Sequence, residues 1–251
     1  GTIKPANNSE LSFLALEKTG VAATSLISVS GLGAPRIHHI TTSSSGTQVP
    51  TISISGSNPE IDHLTAGGCS YAMVWMGNSA NPRISNSSIS NDCPLSSIAL
   101  IIDSAASPTL TNVRIEASIP TSGSSATGVS SQLGATPILE NVQINVNIGA
   151  SGGSAFGVDS SDSSPKLAGV SIRVTGSAGG TLAGIRSKNG SEIEIDHCGI
   201  VSDGMSILND GTGEIQVGAT KLAGPVSGAI GVLKCASVYD EMYQPLNSSC
   251  Q

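Results

Sequence analysis

The feature that most constrains this chain is a nine-residue motif that occurs three times between residues 107 and 172. It reads Ser/Thr-Pro-x-Leu-x-Asn/Gly-Val-x-Ile and begins at Ser107, Thr136 and Ser164. Prolines continue the same register at intervals of 24, 23, 26, 29 and 28 residues: Pro35, Pro59, Pro82, Pro108, Pro137 and Pro165. Units of this length that alternate apolar and polar residues cannot bury an apolar face alone, so they stack on one another. The sequence therefore predicts one elongated solenoid.

The composition decides between a helical and a β-solenoid. Charged residues make up only 12% of the chain, and Gly, Ser, Thr, Ala and Asn are abundant. Helical repeats need far more Leu, Glu and Lys than this. We therefore expect an all-β fold of about eight coils, each with three short strands.

Charge and hydropathy exclude two classes of partner. The formal net charge is -7, and Lys and Arg form no cluster. Nucleic acids and anionic membranes are bound mainly through neutralised phosphates, so neither is expected as a partner. No apolar run approaches the ~18 residues of a membrane span, so membrane insertion is not expected either.

Each predicted coil has a turn at the fourth position after its proline. Asn and Gly are frequent there, and both tolerate a left-handed backbone conformation. Stacked at one height per coil, the amides are expected to form a hydrogen-bonded ladder. This turn column contains His39, His63, Asn86, Asn112, Asn141 and Gly169, and a register slip in a later coil adds His197.

The repeat divides the chain into a body and two ends. Residues 1–20 resemble the last strand of a partial coil, and we expect a longer protein to precede them. The body spans residues 21–222. Residues 223–251 are expected to cap the solenoid, because an open end exposes unpaired backbone and core.

The five cysteines indicate the compartment. Cys235 and Cys250 flank the non-repetitive tail and are predicted to form a disulfide bond that pins it. Cys69 and Cys93 are about one coil apart, which brings them close enough to pair. Cys198 is interpreted as a small core residue. Disulfides favour an oxidising compartment, so an extracellular or cell-surface location is expected, with the periplasm as an alternative.

These patterns resemble a known family. Three strands per coil, a variable loop and an Asn-bearing turn are similar to the right-handed parallel β-helix of the pectate-lyase-like superfamily, over roughly residues 10 to 222. The ending Cys-x-x-Val-Tyr-Asp-x-x-Tyr-x-x-Leu-Asn-x-x-Cys resembles the tails of bacterial secreted or surface β-helix proteins of unassigned function. The resemblance implies a single-stranded parallel β-helix and brings no catalytic motif with it.

Enzymes of that superfamily that cut acidic polysaccharides place acids and bases on the first strand and the loops beside it. The matching column here is predicted to contain Asp103, Ser130, Asp159, Arg186 and Asn209, with Asp162 and Lys188 one turn outward. Under a lyase hypothesis, a carboxylate would bind Ca²⁺ and a base would abstract a proton. The alternative is an ordinary solvated ion pair. The acidic clusters of the hydrolase branch are absent from the sequence.

The histidines and the aromatic residues are candidates for binding sites. His39 and His63 are expected to be neighbours on successive coils, but no Cys or carboxylate completes a tetrahedral set around them, and His197 lies several coils away. We interpret these histidines as replacements for Asn in the turn column, and expect no metal site and no cofactor. Tyr71 and Trp75 are the best local candidates for a glycan site, although aromatic residues total only 2% of the chain.

The leading hypothesis is a noncatalytic structural or adhesive β-helix module of a larger bacterial protein. Its partner would be a glycan or a surface protein. One alternative is a polysaccharide lyase or glycoside hydrolase that acts on the first-strand face, the only case that calls for Ca²⁺. The other is a phage-tail-like receptor-binding segment, which would require trimerisation.

Overall fold

A computed structural model of the chain describes residues 2–18, 24–120, 125–149, 153–177, 179–228 and 233–250. These residues form 25 strands, numbered β1 to β25 in chain order, and no helix. All strand pairing is parallel, within one sheet of 16 strands and one of nine. The predicted fold class is therefore confirmed: the chain is an all-β parallel β-helix of about eight coils.

The nine-stranded sheet contains strand one of successive coils. Its members are β2 (Ile27–Ser30), β4 (Ile52–Ser55), β6 (Val74–Gly77), β9 (Ser96–Ile102), β12 (Ser125–Gln132), β15 (Ser154–Ser161), β18 (Leu182–Lys188), β21 (Met205–Asn209) and β24 (Val226–Ser227).

The 16-stranded sheet combines strands two and three. Strand two is formed by β7 (Arg83–Ser85), β10 (Thr109–Thr111), β13 (Ile138–Glu140), β16 (Lys166–Ala168), β19 (Ile193–Asp196), β22 (Ile215–Gly218) and β25 (Leu233–Ala236). Strand three is formed by β8 (Ser88–Asp92), β11 (Arg114–Ile119), β14 (Gln143–Ile148), β17 (Ser171–Gly176), β20 (Gly199–Ser202) and β23 (Lys221–Ala223). In the first coils the two strands are continuous, as β1 (Glu10–Lys18), β3 (Arg36–Thr47) and β5 (Glu60–Ser70).

The core consists of columns of like residues, because the parallel register repeats the motif at one height. The isoleucines that end the three motifs, together with Ile200 of the following coil, form a column on strand three: Ile115, Ile144, Ile172 and Ile200. All four side chains are almost completely buried. Stacked β-branched residues suit a pleated, closely packed interior. Each coil thus stacks its apolar residues on the same positions of its neighbours.

The prolines open strand two, as their spacing indicates. Their carbonyl oxygens accept backbone hydrogen bonds from the next coil, for example from Ile138 N to Pro108 O and from Lys166 N to Pro137 O, both 2.9 Å. Proline therefore lacks only its N–H donor, and the ladder between coils continues through its carbonyl acceptor.

The turn column has a left-handed backbone throughout. φ lies between 41° and 65° at each position: Phe13, His39, His63, Asn86, Asn112, Asn141, Gly169, His197, Ala219 and Ser237. Backbone N–H groups in the column donate to the next coil, as from Asn112 N to Glu140 O at 3.1 Å. The backbone conformation, rather than one side-chain type, is the property that all coils share.

Both ends contain more of the solenoid than the sequence indicates. At the start, Ile3 bridges to Ile27, and Glu10 begins a strand that pairs with strand two of the next coil as well as with strand three. At the other end, β24 and β25 continue both sheets beyond residue 222. Backbone pairing does not require the motif, so the coils extend after the motif has faded. The non-repetitive cap follows β25.

The predicted disulfide bonds are both present. Cys235–Cys250 joins β25 to the cap, with Cα atoms 5.6 Å apart, and Cys69–Cys93 joins neighbouring coils, with Cα atoms 4.8 Å apart. Cys198 is free and buried, and burial raises the pKa of its thiol. Two disulfides point to an oxidising, non-cytoplasmic compartment. Among the described residues, no helix is long and apolar enough to cross a membrane.

Candidate functional site

The strand-one face, formed by the outward side chains of β6 to β21 in the nine-stranded sheet, was expected to contain any catalytic groups. The register places Ser130, Asp159 and Arg186 in one outward column, as predicted. Two other residues were assigned wrongly. Asn209 pairs with Ser187 and is buried, while Ile101 rather than Asp103 pairs with Ser130, and Asp103 lies beyond the end of β9.

Strand one also departs from simple in-and-out alternation at a column of glycines. Gly128, Gly157 and Gly184 stack in one column that the strand pairing skips. A Cβ on Gly157 would overlap Ile172 of strand three and lie 2.5 Å from the carbonyl oxygen of Gly184. A side chain at Gly157 would therefore force its neighbours to move, although Ala99 and Ser206 take the same register position in flanking coils. Phe156 packs with Ala183 and Leu208 apart from the main core, and so it lies on the outer face together with Asp159.

Asp159 is the centre of a charged cluster, which we call the clamp: Asp159, Arg186, Lys188 and Phe156. Arg186 donates from Nε to Oδ1 at 2.9 Å and from Nη2 to Oδ2 at 2.7 Å. Lys188 Nζ donates to Oδ2 at 3.2 Å. The guanidinium carbon lies 3.5 Å from the centre of the Phe156 ring. A bidentate, stacked arginine is held far more firmly than an ordinary surface charge.

Burial distinguishes the clamp from a solvated ion pair. The exposed fraction of the side chain is 15% for Asp159, 20% for Arg186 and 35% for Lys188. Phe156 is 2% exposed and packs with Ala183 and Leu208 in an apolar cluster separate from the main core. This cluster lies on the outside of the sheet, so the clamp covers apolar surface that would otherwise face water.

The clamp is poorly arranged for lyase chemistry. Both carboxylate oxygens of Asp159 accept hydrogen bonds from cations, and the Arg186 guanidinium is directed at Asp159. Ca²⁺ takes six to eight oxygen ligands. Among the described residues, no group of three or more His, Cys, Asp or Glu side chains converges on one point. The carboxyl group of Asp162 lies outside the clamp, on the exposed turn after β15.

The proposed glycan residues are only partly suited to that role. Trp75 is half-buried, and its Nε1 donates to Asp103 Oδ2 at 2.9 Å, while the Oδ1 atom of Asp103 is buried without a hydrogen-bond partner. Tyr71 is exposed just before β6. Trp75 therefore packs along the face and holds Asp103, and within the described residues the two aromatic rings make no stacking contact with each other.

The strand-two face, formed by the outward side chains of strand two, contains a feature that the sequence analysis missed. The first outward position of strand two holds charges of alternating sign in successive coils. These residues are Glu10, Arg36, Glu60 and Arg83 in the early coils, and Lys166 and Glu194 in later coils. Most of these residues directly follow the repeat prolines, so the alternation of charge could have been predicted from the sequence. Arg36 pairs with Glu60 at 3.1 Å, and Lys166 pairs with Glu194 at 2.9 Å. These ion pairs are more than half exposed.

Grooves run along the same face. One, of about 590 Å³, extends from Arg36 to Glu140, and another, of about 580 Å³, extends from Glu140 to Lys234. Small residues at Ala168 and Gly218 deepen the second groove. Glu140 lines both grooves, so they adjoin along the strand-two face, and together we call them the channel.

The turn column beside this channel changes character along the axis. Its first rings stack face to face: Phe13 on His39 and His39 on His63, each with centroids 4.8 Å apart. Amides follow, and Asn112 Nδ2 donates to Asn86 Oδ1 at 3.4 Å. Within the described residues, the structure thus shows one amide–amide bond of the predicted ladder, between Asn112 and Asn86, and an aromatic stack before it that Phe13 begins.

Asp62 joins the two parts of the turn column. It accepts hydrogen bonds from Ser85 at 2.7 Å and from Asn86 at 2.8 Å, and His63 Nδ1 lies 2.5 Å from its other oxygen. Burial acts to raise the pKa of Asp62, but the hydrogen bonds outweigh it and lower the pKa to about 2. The carboxylate therefore remains charged well into acid.

Comparisons with known proteins add nothing to this geometry. No protein-family model, curated protein or solved structure matches the chain. Function must therefore be argued from the strand-one and strand-two faces themselves.

Proposed function

We propose that this chain is a noncatalytic structural or adhesive β-helix module, at the cell surface or outside the cell, in a protein related to the pectate-lyase-like superfamily. The clamp carries the proposal. On the face where a polysaccharide lyase would place its acid and base, the cationic and anionic side chains hold one another and cover an apolar cluster. These side chains connect the coil of Asp159 to the coil of Arg186 and Lys188.

The disulfide bonds support a role outside the cytoplasm. Cys69–Cys93 ties two neighbouring coils, and Cys235–Cys250 pins the cap against β25. A solenoid has contacts only between adjacent coils, so it can open locally from its ends. Covalent ties near the start and at the end suit a module that must persist where no chaperone refolds it.

The strand-two channel supports the adhesive part of the proposal. It extends along the strand-two face, and its walls carry both signs of charge with the aliphatic stems of Lys and Glu side chains. Such a surface suits an extended, uncharged or weakly charged partner such as a glycan chain, because no single sign of charge dominates.

A polysaccharide screen tests the absence of catalysis. The protein is incubated with acidic and neutral polysaccharides, with and without Ca²⁺, and unsaturated and reducing ends are measured against Arg186→Met. We expect no release above background from either protein. Release by the natural protein that disappears in Arg186→Met would establish a lyase or hydrolase instead.

A binding screen tests adhesion separately. Retention on immobilised glycans is measured for the natural protein, for Lys166→Ala in the channel, and for Lys188→Ala on the opposite face as a control. We expect Lys166→Ala to weaken retention and Lys188→Ala to leave it unchanged. If no glycan retains the natural protein, the adhesive part of the proposal is wrong and a purely structural role remains.

A further inference from the structure

The first histidines of the chain form a pair whose ring nitrogens face each other. His38 Nδ1 and His39 Nδ1 are 3.0 Å apart, and the rings are nearly perpendicular, at 80°. His38 points outward from β3, whereas His39 occupies the left-handed turn position. These two consecutive residues reach this geometry because the backbone changes from a strand conformation at His38 to a left-handed conformation at His39.

Residues outside the pair fix the orientation of each imidazole ring. His38 Nε2 lies 2.9 Å from Glu10 Oε1. An ionised carboxylate can only accept, so this nitrogen carries the proton, and the neutral ring keeps its lone pair on Nδ1. His39 is sandwiched between Phe13 and His63 at 4.8 Å on each side. A ligand would therefore meet two imidazoles that are already oriented.

The gap between the nitrogens fits a metal ion as well as a proton. With metal–nitrogen bonds of about 2.05 Å, a 3.0 Å separation corresponds to an angle of about 94° at the metal. Tetragonal Cu²⁺ and Ni²⁺ place adjacent ligands at right angles, whereas tetrahedral Zn²⁺ needs a wider angle. The carboxylate on the far nitrogen of His38 is the usual partner of a metal-binding histidine.

We propose that His38 and His39 form a bidentate site for Cu²⁺, with Ni²⁺ as the weaker alternative, and that water or a partner's side chain fills the remaining positions. The stacked pair His39 and His63 is less suitable, because its parallel rings do not converge. His63 instead directs its Nδ1 at Asp62. Copper ranks above nickel and zinc for nitrogen ligands in general.

The repeat itself supplies the variants that test the site. Asn occupies the turn column in three later coils with the same backbone conformation, so His39→Asn should fold. In the column of His38, Ser12 is the preceding residue and Ser85 follows two coils later, after Asp62, so His38→Ser should also fold. His63→Asn and His197→Asn are the matched controls, and circular dichroism checks all four.

The measurement is a Cu²⁺ titration of the whole chain, followed by calorimetry and by electron paramagnetic resonance. We expect one equivalent of Cu²⁺ with two equatorial nitrogens. His38→Ser and His39→Asn should each lose one nitrogen and more than about tenfold in affinity, since losing even an outer partner costs about 10- to 100-fold. Glu10→Ala should keep both nitrogens and bind more weakly.

Three results would overturn the site. The first is no stoichiometric binding by the natural protein. The second is unchanged binding by both His38→Ser and His39→Asn. The third is an equal loss in His63→Asn, which would assign the ion to the stacked rings instead. Binding that falls only in His197→Asn would likewise place the ion elsewhere.

Discussion

The strand-one and strand-two faces belong to the same coils but use their charges differently. On strand one, Asp159 and Arg186 are four-fifths or more buried, form a bidentate pair and cover an apolar cluster. On strand two, Lys166 and Glu194 form a single contact and are more than half exposed. Desolvation and geometry, rather than the number of ion pairs, decide how much a charge contributes to stability. We therefore expect equivalent substitutions on the two faces to have very different effects.

The largest difference is expected at the glycines. Gly157→Ala would force its Cβ into Ile172 and the Gly184 carbonyl, so we expect a loss of about 3 kcal/mol in the free energy of unfolding. In Gly218→Ala on strand two, the new Cβ meets only the Asp196 carboxylate, at 2.9 Å, and that side chain can move. Its effect should stay within about 1 kcal/mol, as urea denaturation would measure. Equal losses would show that the glycine column of strand one is not tightly packed.

A smaller difference is expected at the ion pairs. Asp159→Ala leaves the largely buried Arg186 without its acceptor, and we expect a loss of about 2 kcal/mol. Glu194→Ala removes an exposed partner of Lys166, and its cost should be below about 1 kcal/mol. Thermal and urea denaturation of both variants measure the contrast. An equal loss of stability in Asp159→Ala and Glu194→Ala would contradict this expectation.

The smallest effect is expected in acid and concerns Asp62 on the strand-two face. Its folded-state pKa of about 2 lies below the ordinary value of 3.8. The stabilisation is therefore complete above about pH 4 and is lost as the pH falls towards 2. Asp62→Asn should remove this part of the acid dependence, which the difference between the two urea midpoints from pH 5 to pH 2 would show. Parallel curves across that range would contradict the hydrogen-bonded carboxylate.

The fold could be predicted because the repeat encodes it directly. Proline marks the start of strand two, and Asn or His four residues later marks the left-handed turn. Both signals are local and recur in most coils. Phe13, Ala219 and Ser237 escaped prediction as turn residues because none of them is favoured there, and the register of neighbouring coils imposes their conformation.

The clamp could be predicted only in part. The spacing of the coils predicts Asp159 beside Arg186, but the lengths of the neighbouring coils differ, so that Ile101 pairs with Ser130 and Asn209 pairs with Ser187. The packing of Phe156 with Ala183 and Leu208 on the outer face has no local signal in the sequence. Side-chain orientation also escaped prediction: the facing nitrogens of His38 and His39 depend on Glu10 and Phe13 from another coil.

The central claim is that the charges of the strand-one face hold the coils together. A double-mutant cycle with Asp159→Ala and Arg186→Met tests it most directly, because methionine retains apolar contact with Phe156 while removing the charge. We expect urea denaturation of the four proteins to give a coupling energy of about 1 to 2 kcal/mol between the two sites. A coupling energy below about 0.5 kcal/mol would contradict the claim, because the two side chains would then contribute independently.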